Sequence, residues 1–117
     1  MAVYTESNKG VLTGNTEIVL VPSPVRGVSI VTMLRILNTD TASITPTIRL
    51  RDPARVGEVE EYLRITNDIT LLADEYMQMD GVVCVLRGPQ YLVAELSADA
   101  TTTEPDWMTV WAKEIIQ

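Results

Sequence analysis

Histidine is absent from this chain of 117 residues, phenylalanine is absent too, and cysteine occurs once. Without an imidazole there is no ready general base near neutral pH, and every Ser-His or Cys-His arrangement falls away. The single Cys84 has no partner for an intrachain disulfide. Its setting, Val82-Val83-Cys84-Val85-Leu86, reads as a small buried hydrophobe rather than a reactive thiol. With aromatics at only 5%, the core must be mostly aliphatic. No apolar run approaches the roughly 20 residues that a membrane-spanning helix needs, so no membrane partner is expected. The opening MAVYTESNKG lacks the basic start and apolar stretch of a secretion signal, which predicts synthesis in a reducing cytosol.

Reactive motifs are missing as well. There is no glycine-rich phosphate loop, metal-spaced cluster or nucleophile elbow. The carboxylates Glu58, Glu60 and Glu61 lack the spacing of a calcium loop. Paired carboxylates can run glycoside hydrolysis, but a chain with 16 acidic residues offers such pairs by chance. The chemistry points to a binding or structural protein rather than an enzyme, with no cofactor.

What the chain does have is β-branched aliphatic residues. Hydrophobic content of 46% with 21% charge is that of a globular domain, and the abundance of Val, Ile and Thr favours strands. The formal charge of −7 repels phosphate backbones, so direct nucleic-acid binding is not expected.

Ile44 to Arg51 alternates without a break, with Ile44, Pro46, Ile48 and Leu50 on one face and Thr45, Thr47, Arg49 and Arg51 on the other. Val28 to Leu37 is a second strand-length run. The polar cluster Asn38 to Ser43 between them predicts a turn, and the whole reads as a central β-hairpin. Residues 1–14, broken by Gly10 and Gly14, read as an extended arm that need not pack on its own domain; residues 15–117 form the domain proper. Further strands are expected at Thr16 to Val21, Ile69 to Leu72, Glu75 to Met79, Val82 to Leu86, Tyr91 to Ser97 and Asp106 to Ile116. The Asp80-Gly81 pair suits a tight hairpin turn. Val56 to Thr66 is ambiguous. Asp52-Pro53 resembles a helix N-cap, yet Val59, Glu61, Leu63 and Ile65 fit a strand, which is favoured from near Val59. The expectation is an all-β antiparallel sandwich of about eight strands, preceded by the arm.

Two features are candidates for contact with other molecules. In Val28 to Leu37 the even positions make a core face, while the odd positions Val31, Met33 and Leu37 place apolar side chains on the other. Contiguous exposed apolar patches usually mark contacts, although a loop of the same chain would cover them equally well. In the last strand Trp107 and Trp111 share a face opposite Met108, Val110 and Ala112. Either the small aliphatic face fills the core and the tryptophans are contact anchors, or the faces are reversed and the tryptophans are core. Tyr4 in the arm joins this candidate set.

The series Leu34-Arg35-Ile36-Leu37-Asn38-Thr39-Asp40-Thr41-Ala42, the alternating Ile44 to Leu50, Thr103-Glu104-Pro105-Asp106 before Trp107, and Val21-Pro22 together resemble small jelly-roll virion proteins of tailed bacteriophages. The resemblance spans about Thr16 to Lys113 in order of elements. It implies a head decoration (cement) protein on the outer capsid surface, bound to the major capsid protein or other virion proteins and forming a dimer or trimer. It leaves room for a carbohydrate- or receptor-binding module of a tail or fibre, or a head-tail connector component.

Overall fold

A computed structural model describes residues 2–66, 69–96 and 103–115. The β-branched runs form eight strands: β1 (Ala2–Val11), β2 (Ile18–Val21), β3 (Val28–Leu37), β4 (Pro46–Arg51), β5 (Tyr62–Arg64), β6 (Tyr76–Arg87), β7 (Tyr91–Leu96) and β8 (Asp106–Ile115). Two antiparallel four-stranded sheets result, in the orders β1-β8-β3-β6 and β2-β7-β4-β5. Each early strand meets its late counterpart: β1 with β8, β2 with β7, β3 with β6 and β4 with β5. The chain is thus a long ribbon doubled back between β4 and β5, then rolled so that its successive rungs alternate between sheets. This is a jelly roll.

The core between the sheets is aliphatic, with Leu20, Leu34, Ile36, Ile48, Leu86 and Leu92 fully buried. β4 alternates as its sequence predicts, with Pro46, Ile48 and Leu50 inside. Thr109 lies in the core and donates its hydroxyl to the Leu20 carbonyl at 2.9 Å, tying one sheet to the other.

Three local readings are corrected. First, β3 and β4 are not a hairpin, because they belong to opposite sheets. The Asn38 to Ser43 cluster is the crossover between them. Asn38 is fully buried: its side-chain nitrogen donates to the carbonyls of Ala42 (2.9 Å) and Leu71 (3.0 Å), and its side-chain oxygen accepts from the Asp40 amide (2.9 Å). Second, Asp80-Gly81 is not a turn. It lies within the continuous strand β6, where Met33 pairs with Asp80 but Val31 pairs with Cys84. The excess residues form a bulge, and Gly81 accepts its φ of 90° without the Cβ clash that other residues meet. Third, Val59 does not open a strand. Val59–Glu61 is a 3₁₀ turn and the strand starts at Tyr62. The N-cap reading holds for one turn only: Asp52 accepts from the Ala54 amide at 3.1 Å, with Pro53 opening the 3₁₀ turn Pro53–Arg55. Ile69 to Leu72 contributes only a bridge between Leu71 and Ile44.

The first residues are extended, and they are laced onto β8 along the whole of β1, from Ala2 opposite Ile115 to Val11 opposite Asp106. The side chains from Val3 to Val11 are nonetheless exposed, and the first fully buried one is Leu12.

Candidate interaction surface

The bulge in β3 decides which of the predicted contact residues reach solvent. Against β8 the register slips between Val31 and Met33, two steps of β3 meeting one of β8, so Thr32 is an extra residue there, while against β6 the excess lies in β6. A strand's faces exchange across such an insertion. Before it, the odd positions Ser29 and Val31 point into the core; after it, the even positions Leu34 and Ile36 do. Val31 is therefore 0% exposed and is a core residue rather than a contact residue. Met33 and Leu37 stay outward and half-buried.

The tryptophans also belong to the core. Trp107 and Trp111 are 6% and 4% exposed, alternating with the outward Met108 and half-buried Val110. Trp107 fills the space above Gly10, where a Cβ would come within 3.1 Å of the indole ring. Its ring nitrogen donates to the Val11 carbonyl at 3.3 Å. Tyr4 is 51% exposed on β1. The structure thus brings Met33 and Leu37 to one surface, leaves Tyr4 on the edge strand, and removes the other three from it.

That surface is the outer face of the sheet β1-β8-β3-β6. Near one end is an open hollow of ≈ 570 Å³, lined by Lys9, Gly10, Val11, Arg35, Leu37, Asp106, Trp107 and Met108. Val11 and Met108 are exposed at its rim. The Arg35 guanidinium lies 4.8 Å from the centre of the Tyr76 ring, so the cation is held over the aromatic face beside the hollow. Sequence reading missed Val11, Met108 and Tyr76, because only the register that sets β1, β8, β3 and β6 side by side makes them neighbours.

The other sheet presents a different outer face. Arg49 pairs with Glu95 at 3.7 Å, and Arg51 with Glu61 at 3.2 Å and Glu17 at 4.0 Å. Arg51 also donates to the Tyr91 hydroxyl and lies over the rings of Tyr62 and Tyr91. That hydrogen bond, more than the one to Glu61, raises its pKa further above the ordinary guanidinium value. Ion pairs lace one outer face of the sandwich, while the hollow on the other sets the apolar Val11, Leu37 and Met108 among the charged Lys9, Arg35 and Asp106.

Among the described residues no cluster of three or more potential ligands is placed to hold a metal ion, and no helix is long and apolar enough to cross a membrane.

These features define a jelly-roll sandwich with an open hollow on one outer face. No family model matches the chain, and no curated protein does. Among solved structures it is similar to a protein of the Bacillus endospore appendages, described as a novel family of disulfide-linked pili, at 10% identity and TM-score 0.51, covering 98% of this chain and 88% of that one. It is similar to PirA at 13% identity and TM-score 0.51, covering 91% of this chain and 92% of that one. A chain of the cyanophage Pam1 capsid overlaps more loosely, at 14% identity and TM-score 0.41, over 98% of this chain and 84% of that one. At these identities the likeness is one of fold.

Proposed function

We propose that this protein is a structural component of a virion, a capsid decoration protein that seats the outer face of β1-β8-β3-β6 on the shell. The observation that carries the proposal is the contrast between the two outer faces. Ion pairs lace one, while the other leaves Val11 and Met108 exposed, with half-buried Leu37, around an open hollow. A rigid sandwich with one such face suits a protein that binds a larger assembly, because apolar area removed from water supplies most of the affinity at such contacts. The resemblance of its strand and turn motifs to small phage virion proteins supports a capsid as that assembly, and the jelly-roll topology agrees with that resemblance.

The test is co-sedimentation with assembled capsid shells. The protein should travel with shells in fixed ratio, and Met108→Glu should abolish this while leaving thermal unfolding unchanged, since Met108 points to solvent. Failure to bind shells would sink the proposal. A sugar-binding role is less well supported, because the rings of Tyr62 and Tyr76 lie beneath guanidinium groups instead of offering bare faces to a sugar.

A further inference from the structure

Four strands end the two sheets, and three of them are poor templates for another strand. β2 is 4 residues long with a register slip between Val19 and Val21. β5 has 3 residues. β6 is broken by its bulge at Gly81. β1 differs: it runs for 10 residues in one uninterrupted register with β8 and contains no proline. Its Glu6 and Asn8 lie opposite Trp111 and Thr109 on the core-facing side, yet both are exposed. The second sheet therefore does not extend beneath β1, and there is room for another strand alongside. An edge of this length presents a row of amides and carbonyls to a partner strand; along it the Lys9 amide donates to the Asn8 side-chain oxygen at 3.0 Å, a bond that a pairing strand would replace.

We propose that β1 pairs with β1 of a second copy of this chain, antiparallel about Ser7, joining two sheets into one across a two-fold axis. The register follows from geometry. In an antiparallel pair, opposed residues must both turn their backbone groups toward the partner and share a face, so two copies of one strand can pair only where the two residue numbers have an even sum. The longest overlaps of this kind centre on Glu6 or on Ser7. Centring on Glu6 sets two carboxylates face to face, which disfavours it. Centring on Ser7 sets Ser7 against Ser7, Glu6 against Asn8, Thr5 against Lys9, Tyr4 against Gly10 and Val3 against Val11. No like charges meet. The Tyr4 ring lies across a glycine whose own space is already filled by Trp107, and the two valines form a β-branched pair. The strand is thus self-complementary in one register.

The inference stands on the edge alone and holds whether or not the protein decorates a capsid; shell binding and dimer formation are read by separate measurements. Sedimentation of the purified chain should give twice the chain mass. In a Cys84→Ala background, Ser7→Cys should form an interchain disulfide under mild oxidation, because its Cα lies opposite its own copy at bridging distance. Thr5→Cys, displaced from its copy by the register, should not. Ser7→Glu should weaken the dimer several-fold with unchanged unfolding, because Ser7 is exposed and two carboxylates would then face each other. A monomeric mass at all concentrations overturns the proposal. So does a dimer in which Ser7→Cys fails to cross-link, or in which Ser7→Glu has no effect.

Discussion

The side-chain nitrogen of Asn38 donates to the carbonyl of Leu71 at 3.0 Å within the buried interior, joining positions 33 residues apart. The same residue's backbone accepts from Asp74 (3.0 Å) and donates to Glu75 (2.9 Å), so one asparagine binds the crossover after β3 to the segment that enters β6. Asn38→Ala leaves the Ala42 and Leu71 carbonyls without this donor and should cost about 2–3 kcal/mol, measured by urea unfolding. Asn38→Asp should be no better at neutral pH, since a carboxylate cannot donate to either carbonyl.

The tryptophans separate core from contact directly. Trp111→Ala should destabilise the protein by about 3–5 kcal/mol, because it empties a buried site between the sheets. Gly10→Ala should cost about 1–3 kcal/mol and shift tryptophan emission, because the added methyl presses on the Trp107 ring. A Trp111→Ala protein of unchanged stability would place that ring outside the core.

Burial pushes the Cys84 thiol up from 9.0 to about 11. Folding therefore favours the neutral thiol. This contribution is complete below about pH 9 and is lost as pH rises toward 11. Stability should fall over that interval, and Cys84→Ala should flatten the decline. Thiol-specific reagents should label Cys84 slowly in the native protein at neutral pH and rapidly in denaturant, since only the thiolate attacks.

Gly81 sits at φ 90° in the β6 bulge. Nothing lies within 4 Å of a Cβ built there, so Gly81→Ala tests backbone strain without a steric clash. The substitution should cost about 1–2 kcal/mol, read by thermal or urea unfolding.

Composition and short-range pattern made the strands legible, and β4 most of all, since one face is buried and the other solvated throughout. What they could not show was pairing. Asp80-Gly81 satisfies the local requirements of a hairpin turn and of a bulge equally, and only the neighbouring β3 distinguishes them. The Thr32 insertion likewise leaves no mark in the residues of β3, yet it moves Val31 from the surface to the core. Of the six predicted contact positions, Met33 and Leu37 reach the outer face because they follow the insertion, while Tyr4 lies on the core-facing side of β1 and is exposed because the second sheet stops short of that strand. Val11, Met108 and Tyr76 come from three other strands and were invisible until register brought them together.

The pairing of first strand with last also has a consequence in time. Closing a loop costs entropy that grows with the logarithm of its length. The ladder between β4 and β5 spans a short segment, whereas that between β1 and β8 must join residues as distant as Ala2 and Ile115. Ladders should therefore form from the middle of the chain outward, on the slow timescale of non-local β topologies. On the ribosome β1 is made first and β8 last. The strand with the most open edge is thus the one that waits longest for its partner.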